Sequence, residues 1–369
     1  MRKNKKLKKY ILILLGLIAV IFVGKVVLDF VKISPFLFEL LFKKEIKLKT
    51  ADHNINILLL GIGGKNHEGP NLTDTMIFAS ISLSKNKVTL ISVPRDLWVP
   101  DLNAKINTAY STGEEKRKGG GLVLTKAAVA KILNQPIDYG LRIDFDGFIR
   151  AVDEVGGLDI NVERSFDDFE YPIDGKEEDP CGHKEEELTE LATASSQLEV
   201  FPCRYETLHF DKGLQHMSGK TTLMFVRSRH AKGGEGSDFA RSQRQGKVIK
   251  AFKDKIFSLE TIFNPGRIIS LYGIVKDSID TDIKEGEFDD FIRLTQKLKN
   301  ARVENAILDA GDEEAKRPGL LINPEIGSDY NFEWVLIPRI GNGNFSEIQK
   351  YSECVIKLEK CLILNKLPN

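Results

Sequence analysis

FVRSRHAKGGEGSDFARSQRQ, residues 225–245, combines an apolar start, a glycine-rich turn and a polar segment with helical periodicity. The start is predicted to be a short strand, in which Arg227 and Arg229 lie two residues apart and therefore on the same side of a sheet. Ser237 or Asp238 is expected to begin a helix, because both side chains accept hydrogen bonds from the free N–H groups there. Strand, turn and helix are thus predicted to bring their polar residues to one place.

Four guanidiniums are expected to converge where this strand meets this helix. On a helix, Asp238, Arg241 and Gln245 lie within roughly 60° of one another, and Arg244 lies beside them. Arginine forms forked, charge-assisted bonds to phosphate oxygens, and a helix N-terminus adds further donors. The alternative is a solvated basic surface, against which the interleaved apolar residues argue (Phe225, Val226, Phe239, Val248 and Phe252). We therefore predict an anion site with the charge that a diphosphate requires.

The N-terminal sequence predicts a membrane anchor. Six Lys and Arg residues among the first nine precede an apolar run over 10–24, and a further apolar stretch continues to Val31. The alternative is a cleaved signal peptide, but no cleavage site of small residues follows the run. We expect a cytoplasmic tail over 1–9 and a transmembrane signal anchor over 10–31. A stalk over 32–54 and everything after it are then outside the cytoplasm, because the basic flank stays inside.

Composition and cysteine usage agree with an exported protein. The chain has 53 basic and 53 acidic residues, and a net charge of zero argues against a nucleic-acid partner. Cys181 and Cys203 lie in one polar segment and are predicted to form a disulfide. Cys354 and Cys361 lie seven residues apart in a helix-like stretch, too far for an unbroken helix to bridge. Neither pair has the spacing of a zinc site.

Apolar runs and turn signals along the chain predict alternating strands and helices. Strands are predicted at 55–60, 76–83, 88–93, 139–143, 158–162 and 331–340, the second and third forming a hairpin. Helices are predicted at 121–133, 145–155, 288–298 and 346–364. The acidic segment 165–206 interrupts this pattern and is predicted to be an irregular insertion. Alternation of this kind indicates an α/β fold with helices layered around a mainly buried sheet.

Seven motifs in one order resemble the LytR-CpsA-Psr family of membrane-anchored bacterial transferases. They are NLTDTM (71–76), SVPRDLWV (92–99), KINTAY (105–110), IDFDGFIRAVDEVGGLDINV (143–162), LQHMSGK (214–220), FVRSRHA (225–231) and DFARSQRQ (238–245). The resemblance implies an α-β-α layered domain with a mixed central sheet over 55–310. Residues 311–369 are then a C-terminal extension packed on or following that domain.

The same resemblance implies a function outside the cytoplasm. Members bind a glycan linked to polyprenyl pyrophosphate, and transfer the glycan with its proximal phosphate to an acceptor, commonly a peptidoglycan hydroxyl. The lipid tail would lie in an apolar tunnel between the sheet and helices. Asp74 would ligate Mg²⁺, and Asp238 would organise the arginines or assist proton transfer. By motif position, the pyrophosphate would be held by Arg95, Lys105, Arg227, Arg229, Arg241 and Gln245, with Arg244 beside them.

One position departs from the family in a way that bears on the metal. Many members have an aspartate near the end of the first strand, in a G-x-D pattern, where this chain has Gly61-Ile62-Gly63. Glu68, in the following loop, is a candidate replacement as a second Mg²⁺ ligand. The missing aspartate favours the alternative class of function, a non-catalytic protein that binds or scaffolds lipid-linked precursors. A third possibility is a hydrolase that releases free glycan.

Overall fold

The computed structural model describes residues 46–361 apart from 51–52, 65–68, 70, 177, 185, 192–195, 257, 263, 299, 313–316 and 358–360. The predicted tail and anchor, most of the predicted stalk, and Glu68 lie outside the described residues. Within the described part of the chain, no helix combines the length and the apolar composition needed to cross a membrane.

The described strands and helices have the following bounds. The strands are β1 (Asn54–Ile62), β2 (Thr73–Ser82), β3 (Lys87–Ser92), β4 (Trp98–Val99), β5 (Ala104–Lys105), β6 (Tyr139–Asp144), β7 (Leu158–Val162), β8 (Phe166–Pro172), β9 (Tyr205–Phe210), β10 (Gly213–Met217), β11 (Ile279–Thr281), β12 (Arg302–Ile307), β13 (Gly311–Asp312), β14 (Arg317–Pro318), β15 (Leu321–Ile322) and β16 (Ile337–Pro338). The helices are α1 (Ala109–Lys116), α2 (Gly120–Leu133), α3 (Phe145–Glu154), α4 (Leu188–Leu191), α5 (Gln197–Val200), α6 (Gly219–Arg227), α7 (Asp238–Ile256), α8 (Leu259–Ile262), α9 (Pro265–Ser278), α10 (Phe288–Lys297) and α11 (Ser346–Lys357).

The chain divides into two compact units, and the larger one, Lys49–Ile283 with Leu298–Asn369, contains the sheet and the site. The smaller unit includes Lys284–Lys297 and therefore α10. On α10, Arg293 forms ion pairs of 2.8 Å and 3.4 Å with Asp289 and Asp290, and all three side chains are buried.

The central sheet of the larger unit has the strand order β11-β6-β1-β2-β3-β12. Its pairs β1–β2, β2–β3 and β6–β11 are antiparallel, whereas β1–β6 and β3–β12 are parallel. The sheet is therefore mixed, as predicted, and the predicted hairpin of the second and third strands is confirmed. The start of β2 and the end of β3 meet at one edge, because Ile77 pairs with Ser92.

Helices cover both faces of this sheet. On one face, α2 and α11 contribute to an apolar core with alternate residues of the strands (Leu58, Leu60, Met76, Phe78 and Ile91). On the other face, α7 crosses β3 and β12, and Ser242 shares a 2.8 Å hydrogen bond with Ser92. Gly246 permits this approach, since a Cβ there would lie 2.5 Å from Oδ1 of Asn305 on β12. The α-β-α layering predicted from the sequence is present.

A second core forms where α3, α6 and α7 meet the ribbon of β8 and β9. Phe166 of β8, Phe210 of β9 and Phe225 of α6 pack with ring centroids 5.1–6.1 Å apart. The prediction of an irregular insertion over 165–206 was therefore wrong at its two ends, which are paired strands. Between them the structure joins Cys181 to Cys203, with their Cα atoms 5.6 Å apart.

The strand predicted at residue 225 is instead the end of helix α6. Ser218 caps this helix, its Oγ accepting from Thr221 N at 3.2 Å. Gly219 then allows close contact with α3, because a Cβ there would overlap the carbonyl oxygen of Ile149. Arg227 is the last residue of the helix and Arg229 lies in the turn that follows, so the two do not share one side of a strand.

Two C-terminal predictions also required correction. The strand predicted over 331–340 is limited to Ile337–Pro338, because most of this segment follows the surface of β4 as extended chain and turns. The helix predicted to run to residue 364 ends at Lys357 in the described chain. Cys361 thereby comes within 5.7 Å of Cys354, measured between Cα atoms, and the two form a disulfide that an unbroken helix would prevent.

Candidate functional site

A small cleft opens at the sheet edge where β2 begins and β3 ends. The start of α7 forms its opposite wall, and the end of β12 forms its floor. Its lining includes two carboxylates, two guanidiniums and an amide, belonging to Asp74, Asp238, Arg95, Arg241 and Gln245. The structure thus brings together five residues that the motifs assigned to one site, although they are spread over 171 positions.

Charges along one wall of the cleft alternate in sign. Arg95 donates from Nη1 to Asp74 Oδ1 at 2.5 Å, and its Nε lies 3.5 Å from Asp96 Oδ2. Lys105 continues the series, with Nζ 3.4 Å from Asp96 Oδ1 and 3.3 Å from Glu333 Oε2. The side chains of Asp74 and Arg95 are about one third exposed, so an incoming anion and cation can compete with their ion pair.

Arg241 lies on the helix side of the cleft, and Arg229, in the turn before α7, is close enough to Arg241 and Arg95 for their charges to affect its pKa, although it does not line the cleft. Arg241 pairs with Asp238 at 2.6 Å, and burial lowers the pKa of Arg241 while Asp238 opposes that shift. Burial, together with the positive charges of Arg241 and Arg95, lowers the pKa of Arg229 to about 10, while Asp238 and Asp96 oppose the shift. Three guanidiniums are therefore held close enough to repel one another, an arrangement that a bound polyanion would relieve.

The helix start contributes as predicted. Helix α7 begins at Asp238, and Ser237 Oγ accepts from Ala240 N at 3.2 Å, which identifies Ser237 as the cap. Asp238 is then free to turn toward Arg241, one helical turn along. The first turn of α7 lies at the cleft, since Asp238 and Arg241 line it, so the positive end of the helix dipole is close to the site.

Arg244 does not join the cleft, which corrects its predicted role. Its guanidinium is 2% exposed and donates to the carbonyl oxygens of Phe225 (2.9 Å), Ser228 (2.6 Å) and Glu235 (2.8 Å). Burial lowers its pKa to about 10, partly offset by Glu235. Arg244 therefore closes the turn between α6 and α7. Helix periodicity placed it beside Arg241 but could not reveal that these carbonyl oxygens would bind it.

Arg227 makes its contacts with the β8 ribbon. It donates to Tyr171 Oη at 3.3 Å and to Asp174 Oδ1 at 3.1 Å, and its guanidinium carbon lies 4.5 Å from the ring centroid of Phe145. Burial raises the pKa of Tyr171 to about 12, which keeps it protonated. The structure therefore holds Arg227 on the ribbon, and its predicted place on the pyrophosphate remains a prediction.

The oxygen donors of the cleft fit a magnesium ion that binds together with phosphate. Asp74 and Asp238 supply carboxylates. Asn107, whose N–H donates to Arg95 O at 3.2 Å, has a buried Oδ1 without a hydrogen-bond partner in the described chain. Mg²⁺ typically takes one or two carboxylates and fills its other positions with waters and substrate phosphates. Among the described residues, the one cluster of three metal-ligating side chains is Asp179 with Cys181 and Cys203, and its cysteines are disulfide-bonded.

An apolar cavity of about 300 Å³ lies beside α2. The turn between β4 and β5 forms one wall, α2 another, and Phe345 a third. The β4–β5 hairpin also carries Lys105, so one short element provides a wall of the cavity and the ammonium group that pairs with Asp96.

Sequence reasoning missed several residues that shape this site. Asp96 bridges Arg95 and Lys105 but received no role, although it directly follows Arg95 in the chain. Glu333 and Asp168 were missed because their partners are remote in sequence, Lys105 for the first and Ser228 for the second. No local pattern signals such a pair.

Fold and cleft together define an α/β domain with a cleft of paired arginines and carboxylates at one edge of its sheet. The chain belongs to the LytR_cpsA_psr family, which matches residues 39–316, so the resemblance inferred from the motifs is confirmed.

Curated relatives and solved structures agree with this membership. The chain is 24% identical over 251 residues to the polyisoprenyl-teichoic acid–peptidoglycan teichoic acid transferase TagU of Bacillus cereus, covering 67% of this chain and 66% of the relative. It is 28% identical over 232 residues to TagU of Oceanobacillus iheyensis, covering 62% and 59%. The matches thus span less than two thirds of these relatives' lengths. The crystal structure of Bacillus subtilis TagV shares the fold, with a TM-score of 0.52 at 21% identity over 84% of this chain and all of that one.

Proposed function

We propose that this protein is a Mg²⁺-dependent phosphotransferase of the cell envelope. It would move a glycan with its proximal phosphate from a polyprenyl-pyrophosphate carrier to a wall acceptor such as peptidoglycan. The observation that carries the proposal is the single cleft that Arg95 and Arg241 line together with Asp74, Asp238 and Gln245, with the charge of Arg229 close by. Family membership and relatives named as teichoic acid transferases support the same conclusion.

In the proposed reaction the acceptor hydroxyl oxygen bonds to the phosphorus on the glycan side. The bond from that phosphorus to the bridging oxygen breaks, and polyprenyl phosphate leaves with the electron pair. The arginines stabilise the negative charge on the leaving phosphate, which is the main contribution a protein makes to phosphoryl transfer. Asp238 holds Arg241 in place and would also take the hydroxyl proton, because Asp74, the other carboxylate of the cleft, would hold the magnesium ion.

Asp74 would hold the magnesium ion, with Glu68 as a second candidate ligand outside the described residues. When bound, the ion would neutralise part of the negative charge of the diphosphate, in addition to the arginines. On the protein side, Arg95 would exchange its ion pair with Asp74 for phosphate oxygens. The Nε of Arg95 is buried, lies 3.5 Å from Asp96 Oδ2 and makes no hydrogen bond in the described chain, so Asp96 would keep the guanidinium in place during that exchange.

The lipid carrier sets the expected location. We propose that the polyprenyl chain enters the apolar cavity beside α2, because the β4–β5 hairpin that walls this cavity also carries Lys105, which pairs with Asp96 next to Arg95. We also propose that the N-terminal segment 10–31 anchors the protein in the cell membrane as a single span, with the domain outside the cytoplasm. Its support is the basic and apolar pattern of the sequence.

The alternative is a binding or scaffold protein that captures the lipid-linked precursor without turnover. The feature that favours it is Gly61-Ile62-Gly63, which puts no carboxylate at the end of β1 where many family members have one.

Asp74→Asn separates the two functions. The purified protein is incubated with a polyprenyl-pyrophosphate-linked glycan, Mg²⁺ and acceptor, and release of polyprenyl phosphate is measured. We expect release to fall at least a hundredfold in Asp74→Asn, because the amide cannot replace the charge that a hard cation needs. Binding of the lipid should persist, since the arginines remain. Asp254→Asn, an exposed carboxylate on the far end of α7, is the matched control.

The outcomes are distinct. Wild-type turnover from the Asp74→Asn protein would remove the metal role of Asp74. Tight lipid binding by the wild type without any release would establish the binding protein instead. Release that does not require acceptor would indicate a hydrolase.

A further inference from the structure

Asp168, on β8, is a fully buried carboxylate that does not line the cleft. Its Oδ2 accepts from Ser228 Oγ at 2.6 Å, from Arg229 N at 3.0 Å and from His230 N at 3.3 Å. Its Oδ1 accepts from Glu170 N at 3.1 Å. Burying a carboxylate is costly unless it is hydrogen-bonded, and here one carboxylate is saturated largely by a single turn 60 residues further along the chain.

That turn joins α6 to α7 and carries Arg229. Its backbone is attached to β8 at two more places, through a bridge between Asp168 and Ala231 and a 3.3 Å hydrogen bond from Lys232 N to Asp167 O. The side chain of Ser228, between the two arginines of the motif, is 0% exposed and faces Asp168. The ribbon of β8 and β9 therefore holds the turn along most of its length.

The turn is fixed from two sides by opposite charges. Arg244 of α7 donates to the carbonyl oxygens of Phe225 and Ser228, and Asp168 accepts from the amides of Arg229 and His230. In this turn Arg244 binds backbone carbonyl oxygens, and Asp168 binds backbone N–H groups. The peptide planes on either side of Arg229 are therefore fixed in orientation. The direction in which the Arg229 side chain leaves the backbone follows from those planes.

We propose that Asp168 is a positioning residue for the anion cleft, acting through the turn Ser228–His230 to hold the guanidinium of Arg229 beside those of Arg241 and Arg95. This inference rests on the proposed function, because it takes the cleft to be the pyrophosphate site. It gives the acidic insertion a role in that site: β8 fixes Arg229 through Asp168, and it holds Arg227 through Tyr171 and Asp174.

The test is a double-mutant cycle with inorganic pyrophosphate as the probe. Affinity is measured by calorimetry for the wild type, Asp168→Ala, Arg229→Ala and the double variant. If Asp168 acts through Arg229, Asp168→Ala weakens binding at least tenfold, and the double variant binds no worse than Arg229→Ala alone. A general loss of structure would instead make the two effects add.

Two further variants keep the test decisive. Asp168→Asn retains an oxygen that can accept from the turn, so the loss in log Kd should be at most half of that in Asp168→Ala. This variant also provides the test if Asp168→Ala fails to fold. Asp167→Asn, its exposed neighbour on β8, is the matched control and should bind as the wild type does.

Unchanged affinity in both Asp168 variants, or additive losses in the cycle, would overturn the positioning role while leaving the proposed function intact. A wild-type protein that does not bind pyrophosphate would overturn the anion cleft itself, and this inference with it.

Discussion

Arg229 and Arg244 are both buried arginines whose pKa is lowered to about 10, yet their surroundings differ. Arg244 donates to three backbone carbonyls and pairs with Glu235. The main electrostatic neighbours of Arg229 are two other guanidiniums, with Asp238 and Asp96 as weaker opposing charges. Residues that serve binding are often held in arrangements that cost stability, so we expect that Arg229 serves the proposed ligand, whereas Arg244 stabilises the turn whose carbonyl oxygens it binds.

Replacing Arg229 with Met should therefore cost binding but not stability. A lowered arginine pKa means that the folded state holds the proton of Arg229 less tightly than the unfolded chain does, so the charge destabilises the fold, by its full amount below about pH 10 where both states carry it. Removing the charge at neutral pH should leave the melting temperature unchanged or higher. Pyrophosphate affinity should fall about tenfold or more, since a hydrogen bond to a charged group contributes about 1.5–3 kcal/mol. Calorimetry and thermal melting of the same preparation measure both effects.

Arg244→Met should have the opposite effect on thermal stability in the same experiment. It leaves three buried carbonyl oxygens without their donor, so the melting temperature should fall by several degrees or more. Arg302→Met, an exposed arginine at the far end of β12, should change neither quantity. A stability loss in Arg229→Met as large as that in Arg244→Met would contradict the distinction drawn between them.

At the scale of elements, the cleft depends on how closely α7 lies on the sheet. Gly246 is the contact point, because a Cβ at this position would lie 2.5 Å from Oδ1 and 2.6 Å from Nδ2 of Asn305. Asn305 is held in turn, donating from Nδ2 to Gln243 Oε1 at 3.2 Å. Arg241 and Gln245 lie on the same helix within one turn or so of Gly246, so a displacement of α7 moves the helix wall of the cleft.

Gly246→Ala should consequently weaken both stability and pyrophosphate binding. Gly273→Ala is the matched control, because Gly273 lies inside α9 and an added Cβ there would have no neighbouring atom within 4 Å. That change should raise stability by about 0.5–1 kcal/mol, as expected for Gly to Ala in a helix. Chemical denaturation curves for the two variants should therefore shift in opposite directions. A stabilised Gly246→Ala protein would mean that α7 does not rest on Asn305.

The elements themselves were predictable to different degrees. Runs such as 55–60 and 88–93 are buried on both faces and were recognised from apolar residues alone, and β7 was predicted with its observed bounds. Residues 225–229 were wrongly assigned to a strand, because two arginines separated by one residue match the alternation expected of a strand. The contrary signal was Ser218, an N-cap followed by nine helical residues.

The site was predicted where motif and geometry coincide, and not elsewhere. Asp74, Arg95, Asp238, Arg241 and Gln245 meet at one cleft because the family motifs lie at the ends of adjacent strands and at one helix start. Arg244 was misplaced, since helix periodicity gives the direction of a side chain around the helix axis but not the groups that it contacts there. Asp168 could not be found from sequence, because its partners are fixed by the packing of a ribbon onto a distant turn.

At the scale of the whole molecule, the fold extends past the part that the family shares. The family match ends at residue 316, but residues beyond it complete the main core under the sheet. They are Leu320, Leu321, Leu336, Phe345, Ile348, Tyr351 and Ile356, all buried. The same segment covers β4, since Trp98 N donates to Leu336 O at 2.8 Å and Trp98 packs against Val335 and Ile337.

A chain that ends at residue 316 should therefore fail to fold stably, although it contains every family motif. Full burial of one large apolar side chain contributes about 1.5–3 kcal/mol, so seven are comparable with the whole stability of about 5–15 kcal/mol of a native domain. Circular dichroism and thermal melting should show loss of the cooperative transition. A chain that ends at Cys361, which keeps the described core and both disulfides, should melt as the full chain does. A cooperative melt together with wild-type pyrophosphate affinity in the chain ending at 316 would show that the extension is an appendage. In that case the anion cleft would be a property of the shared family domain alone, and the contact of Glu333 with Lys105 would have no part in shaping it.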